Sequence, residues 1–245
     1  NVAAPRFTVK MWISGDIFAH PLRPNRAAQP QGRAARVDFP FCARNMAQDW
    51  RQNKASYWQE RVTMADISVC VYCGSRDGAD PAYAAAAEAL GRALAHQDWR
   101  LVYGAGDIGL MGRVARSAQD SGGQTFGVIP KHLLDIEVGK RDLSTFVVTE
   151  TMHERKKVML MNADAVVLLP GGAGSLDEFF EVLTWAQLGL HAKPVVLLNV
   201  AGYWDPLLAL LDHVIDQGFA EDTLRAHWTC ADNVEAAVAK LGETL

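Results

Sequence analysis

The sequence predicts an α/β protein in which a mainly parallel sheet carries helices on both faces. Three observations predict it. Short apolar runs recur along residues 64–245, segments of amphipathic helical pattern separate them, and glycine turns follow several of the runs.

Ile67 to Tyr72 reads as the first buried strand, with Cys73-Gly74-Ser75-Arg76-Asp77-Gly78 turning the chain after it. Pro81 to Ala95 is rich in helix formers and poor in breakers. Leu101 to Tyr103 is a second short strand; Gly104-Ala105-Gly106-Asp107-Ile108-Gly109 follows and leads into a helix over Leu110 to Gln119. Gln124 to Ile129 is the third strand, closed by Pro130, and the stretch through Ser144 reads as a loop with room for one short helix. Phe146 to Thr149 gives another strand and Met152 to Asn162 another helix. Ala165–Leu169, Leu176–Leu188, Val195–Asn199 and Trp204–Asp216 continue the alternation, which ends with a strand near His227 to Cys230 and a helix over Val234 to Leu241. No polar linker divides residues 64–245, so one domain is expected there. In such sheets ligands collect beyond the carboxyl ends of the strands, where the turns at 74, 104–109 and 171–174 fall.

A chain of 245 residues, 49% apolar and 21% charged, is ample for one substantial core. A net charge of -4 argues against a nonspecific nucleic-acid surface and leaves a nucleotide substrate open. Cys42, Cys70, Cys73 and Cys230 form no disulfide or metal framework, and no compact Cys/His/Asp set specifies a metal; His153 and His191 stand isolated. Cys70 and Cys73 have thioredoxin-like spacing, but Cys70 sits inside a strand pattern, which favours packing. No eighteen-residue apolar run spans a membrane and no secretion signal is evident, so a cytoplasmic protein is expected. Residues 1–63 hold ten Lys or Arg and four Asp or Glu, against fourteen and twenty-four in the remainder. That segment reads as a basic extension dispensable for folding, with Met64 a natural start, or as an arm whose Arg23, Arg26, Arg33 and Arg36 touch an acidic partner.

The chemistry concentrates in Pro170 to Glu178, P-G-G-A-G-S-L-D-E, directly after the apolar run Ala165 to Leu169. Gly171, Gly172 and Gly174 permit close backbone approach, Ser175 suits an N-cap, and the unpaired N–H groups of a helix start receive phosphate oxygens. Glu178 lies three residues after Ser175, so a capping box and an active-site carboxylate are both open readings. Gly104 to Gly109 has dinucleotide-like spacing, but no ribose-binding acid stands about twenty residues on, and no Walker sequence is present. A mononucleotide fits better than NAD or ATP hydrolysis.

Taken together, these motifs resemble the Lonely Guy family of cytokinin riboside 5'-monophosphate phosphoribohydrolases. The resemblance covers approximately Asp66 to Gly242. The family pattern P-G-G-x-G-T-x-x-E corresponds to Pro170 through Glu178, with Ser175 in place of Thr; Cys73-Gly74-Ser75, Tyr103-Gly104-Ala105-Gly106, Gly109-Leu110-Met111-Gly112 and Met152-His153-Glu154-Arg155-Lys156 strengthen it. It implies a Rossmann-like three-layer subunit that is at least a dimer. The implied reaction is hydrolysis of the N-glycosidic bond of AMP or an N6-modified relative to free base and ribose 5-phosphate, without metal or cofactor. Some relatives carry a lysine decarboxylase label, but nothing in the chain establishes a pyridoxal phosphate lysine.

Arg155 and Glu178 match the two residues regarded as catalytic in that family. Departure of the base leaves positive charge on the ribose, which Glu178 would stabilise, or it would orient the attacking water. Arg155 would hold the 5'-phosphate or orient Glu178; its competing reading is an ion pair with Glu154 or a helix-surface charge. Gly171, Gly172, Gly174 and Ser175 would cradle phosphate, with Gly74, Ser75, Arg76, Gly106, Met152 and Lys156 as further contacts. Glu181, one turn beyond Glu178, either orients a sugar hydroxyl or faces solvent. Ala105, where glycine is frequent, would narrow substrate access or tolerate a different nucleotide pose. Tyr203 and Trp204 read as packing or interface residues, and Leu176 to Leu188 as part of a dimer contact. The alternative function is a noncatalytic nucleotide carrier or sensor.

Overall fold

The computed structural model describes residues 67–134 and 139–245. The basic extension, with Arg23, Arg26, Arg33, Arg36 and Cys42, lies outside the described residues. The chain divides into two units, Asn1–Glu60 and Arg61–Leu245, and the fold is that of the second.

Seven strands form one sheet: β1 Ser68–Tyr72, β2 Arg100–Tyr103, β3 Thr125–Pro130, β4 Thr145–Thr149, β5 Ala165–Leu168, β6 Val195–Leu198 and β7 Thr229–Ala231. Their order is β4-β3-β2-β1-β5-β6-β7, and every neighbouring pair is parallel. Among the described residues six α-helices accompany them: α1 Pro81–His96, α2 Gly109–Asp120, α3 Met152–Met161, α4 Ala173–Gln187, α5 Asp205–Asp216 and α6 Val234–Gly242. An α-helix crosses over between successive strands at every connection except β3–β4, where the described residues hold a 3-10 turn, Lys131–Leu133.

The apolar runs are strands because both of their faces are covered. Every residue of β1, β5 and β6 is buried. Side-chain alternation splits them between two cores. Val69 and Val71 pack with Leu90 and Leu94 of α1, Val114 of α2 and Leu241 of α6. Cys70 and Tyr72 face the other way, among Met159 of α3, Phe179 and Val182 of α4 and Leu211 of α5. The result is three layers, α1, α2 and α6 on one face and α3, α4 and α5 on the other. Each fully buried Leu contributes about 1.5–3 kcal/mol.

Helix starts follow their capping chemistry, with one correction. Asp80 accepts from Ala82 N at 2.8 Å ahead of Pro81. Thr151 and Glu154 form a reciprocal capping box on α3. The helix α4, expected from Leu176 with Ser175 as its cap, begins at Ala173 with Gly172 as N-cap and no side-chain cap bond. Ser175 is therefore inside the first turn, and the capping-box reading of Glu178 falls.

The chain lays β2, β3 and β4 successively to one side of β1, then returns to place β5 on the other. This reversal of direction opens a crevice beyond the carboxyl ends of β1 and β5. The loops leaving those strands meet there, Gly74 N donating to Pro170 O at 3.0 Å.

Candidate active site

A cavity of about 640 Å³ occupies this crevice, a size suited to a small ligand. Its walls come mainly from the loop after β1, the start of α2, one face of α3, and the β5–α4 loop with the start of α4, and Tyr83, Gly104, Leu133 and Tyr203 reach it from other elements. Of the residues singled out from sequence, Arg155, Glu178, Gly74, Ser75, Arg76, Met152, Gly171, Gly172, Gly174 and Ser175 all line it.

Arg155 comes from the first turn and a half of α3, which the Thr151–Glu154 box anchors. It is 4% exposed, and its Nη2 donates to Gly104 O at 2.7 Å. The surface-charge and Glu154-pair readings are thus overturned, since Glu154 is engaged with the backbone N–H groups of Glu150 and Thr151. Gly104 makes this placement possible, because a Cβ there would stand 1.9 Å from Arg155 Nη2. Glu178, half-buried, enters the same cavity from α4. Its charge reaches the Tyr72 phenol and the Cys70 thiol beneath it, both of which burial already pushes up and keeps neutral.

The glycines of the β5–α4 loop divide by role. A Cβ on Gly171 would stand 2.1 Å from Ser175 Oγ, so Gly171 is required by the buried Ser175 against it. A Cβ on Gly172 or Gly174 would meet nothing within 4 Å. The protein's own packing does not require these two glycines, and the space beside them opens on the helix start. Here the first N–H groups of α4 and the positive end of its dipole favour an anion.

Three predicted contacts lie elsewhere. Gly106 forms an isolated antiparallel bridge with Gly139 and does not line the cavity. Lys156, its side chain 6% exposed, points into the α3–α4 contact and bonds Asp177 Oδ2 at 3.0 Å and Glu181 Oε2 at 2.8 Å. Burial pulls its ammonium down, but the two carboxylates outweigh this and hold it above its ordinary value. Glu181 therefore neither faces solvent nor enters the cavity; it ties α4 to α3 through Lys156. Ala105 is fully buried in a left-handed conformation, φ 57°, and lies outside the cavity. Its methyl stands 2.7 Å from where a Gly127 Cβ would be, so it crowds β3 rather than narrowing substrate access.

Tyr83 and Tyr203 also line the cavity and were not foreseen as site residues. Tyr203 and Trp204 do pack as expected, Tyr203 against both Tyr83 and Trp204 in edge contacts. Met111, Met159 and Leu133 add apolar wall. Cys70 is a fully buried thiol, as the strand pattern required, and Cys230 is a half-buried one. Among the described residues no cluster of His, Cys, Asp or Glu is arranged to hold a metal, and no helix is long and apolar enough to cross a membrane.

Residues 111–241 match the family described as possible lysine decarboxylase. A probable cytokinin riboside 5'-monophosphate phosphoribohydrolase of Oryza sativa subsp. japonica is 46% identical over 176 residues, 72% of this chain and 76% of the relative. A cytokinin riboside 5'-monophosphate phosphoribohydrolase of Rhodococcoides fascians is 44% identical over 175 residues, 71% of this chain and 88% of the relative. Among solved structures, the molybdenum cofactor binding protein of Rippkaea orientalis superimposes with a TM-score of 0.58 at 22% identity, covering 74% of this chain and 99% of that one. That likeness is one of fold.

Proposed function

The chain belongs to the family of cytokinin riboside 5'-monophosphate phosphoribohydrolases, and from that premise we propose that it hydrolyses the N-glycosidic bond of cytokinin riboside 5'-monophosphates and of AMP, releasing free base and ribose 5-phosphate. The observation that carries the reading is the meeting of Arg155 and Glu178 in one cavity with an open glycine-rich helix start.

The first turn of α4 takes the 5'-phosphate, with Ser75 and Arg76 approaching from the β1 loop. Met111, Met152, Met159 and Leu133 offer apolar wall to the purine. As the C1'–N9 bond breaks, its electron pair leaves with the base and positive charge spreads over C1' and the ring oxygen. The Glu178 carboxylate stabilises that charge and orients the water that adds to C1'. Arg155, held by the Gly104 carbonyl, fixes the phosphate end or the Glu178 carboxylate. Chemistry of the decarboxylase kind finds no support, because among the described residues no lysine lines the cavity to offer an amine.

The enzyme works as a homodimer or larger assembly of the cytoplasm, domain 64–245 sufficing for catalysis. Phe180, Thr184, Gln187 and Leu188 form one exposed stripe on α4, and Phe180 and Leu188 are 37% and 67% exposed, an apolar face for a second copy.

The test is product identification after incubation with AMP and N6-isopentenyl-AMP. Free base and ribose 5-phosphate are expected in equal amounts. Glu178→Gln should lower kcat by about 100-fold or more at unchanged Tm. Saturable binding without base release would establish a carrier instead.

A further inference from the structure

The anion cradle at the start of α4 is held in shape from outside the motif. Two consecutive carbonyls of the loop are pinned. Pro170 O accepts from Gly74 N at 3.0 Å, and Gly171 O accepts from the Tyr203 phenol at 2.6 Å. All described peptide bonds are trans, so each pinned carbonyl turns the next residue's N–H the opposite way. The Gly172 N–H is thereby fixed opposite the Gly171 carbonyl, at the N-cap of α4 where the helix start favours an anion. Gly171 and Gly172 have no side chains to resist rotation of the peptide between them, and the Tyr203 phenol is the side chain that holds its carbonyl.

The fold delivers the phenol rigidly. Tyr203 follows a 3-10 turn, Val200–Gly202, in which Ala201 adopts a left-handed φ of 52°. Asn199 locks the turn, accepting from Trp204 N at 2.6 Å and donating to Asp205 Oδ1 at 2.8 Å. Tyr83 and Trp204 hold the ring at centroid distances of 5.2 and 4.7 Å.

We propose that Tyr203 is a positioning residue for phosphate recognition, its hydroxyl fixing the Gly171–Gly172 peptide so that the loop presents its N–H groups to the 5'-phosphate. The proposal rests on the phosphoribohydrolase reading for its substrate. Tyr203→Phe keeps both ring contacts and deletes only the hydroxyl. The variant should raise KM for AMP about 5- to 10-fold, with kcat changed less than about 2-fold, and weaken ribose 5-phosphate binding in calorimetry by the same factor. Its Tm should stay within about 3 °C of the parent. Unchanged ribose 5-phosphate affinity overturns the proposal, and so does a fall in kcat and Tm at constant KM, which marks a purely structural residue. If the parent binds ribose 5-phosphate but releases no base from any nucleotide, the reaction is refuted while the calorimetric comparison still decides the role of Tyr203.

Discussion

Replacing Lys156 with methionine tests whether the α3–α4 tie sets the geometry of the active site. The ammonium lies 2.8 Å from Glu181 and 3.0 Å from Asp177, and these carboxylates flank Glu178 in sequence while Lys156 adjoins Arg155. At an effective dielectric of about 20, the Glu181 contact alone has a gross attraction of roughly 6 kcal/mol. Most of that is offset by desolvating the ammonium, and Asp177, its side chain 60% exposed, adds at most about 1 kcal/mol. The methionine keeps the length and apolar stem but leaves Glu181, 22% exposed, without its cation. A net loss of about 2 kcal/mol follows, a fall of roughly 4–8 °C in Tm for a domain of this size. Because the tie joins the helices carrying Arg155 and Glu178, kcat should fall about 10-fold, although neither Lys156 nor Glu181 touches the cavity. A double-mutant cycle with Glu181→Gln, read by urea denaturation and by turnover, isolates the pair. A coupling below about 0.3 kcal/mol in stability, with kcat additive, would refute the reasoning.

Gly174→Ala should separate stability from function: its added Cβ meets no protein atom within 4 Å, and inside a helix the exchange stabilises by about 0.5–1 kcal/mol. If phosphate occupies that space, KM for AMP rises at least about 5-fold while Tm climbs; a variant both more stable and unimpaired would place the phosphate elsewhere. His191 gives the fold a response to acid, because burial, with the nearby Lys193 and His227 charges, lowers its folded value, and its Nδ1 accepts from Lys193 N at 3.2 Å while Nε2 meets Val182 O at 3.0 Å. The neutral ring is the one that folds, so its contribution is full above the ordinary value of about 6.5 and is lost as pH falls below it. Urea midpoints measured between pH 7.5 and 5 should decline, and His191→Gln should flatten part of that decline; an identical profile in the variant would remove His191 as a source.

The alternation of elements was legible because the strands are short and largely apolar, with β1, β3, β5 and β6 buried throughout, and most boundaries agree to within two residues. The start of α4 was not, since Gly172 and Gly174 suppress the helical signal and Ser175 resembles a cap; in the fold its hydroxyl packs against Gly171. Within the site, Arg155, Glu178 and the glycine loop were readable because they lie in contiguous motifs. Lys156 and Glu181 were misread because helical spacing does not reveal which of two adjacent charges turns toward a neighbouring helix. Gly104, Tyr83 and Tyr203 reach the cavity through contacts that span the sheet. Only the glycine turn at 104–109 hinted at any of them, and its nearest actor is Gly104, not Gly106.

The position of β1 between β2 and β5 has a consequence for synthesis. Ser68 waits 96 residues for Asp164, whose carboxylate receives its N–H at 2.8 Å. Until the ribosome has delivered β5, the innermost strand of the molecule presents a bare, apolar rim. A nascent or truncated chain stopping before residue 165 is therefore a sticky half-sheet that needs chaperone cover, not a smaller working enzyme.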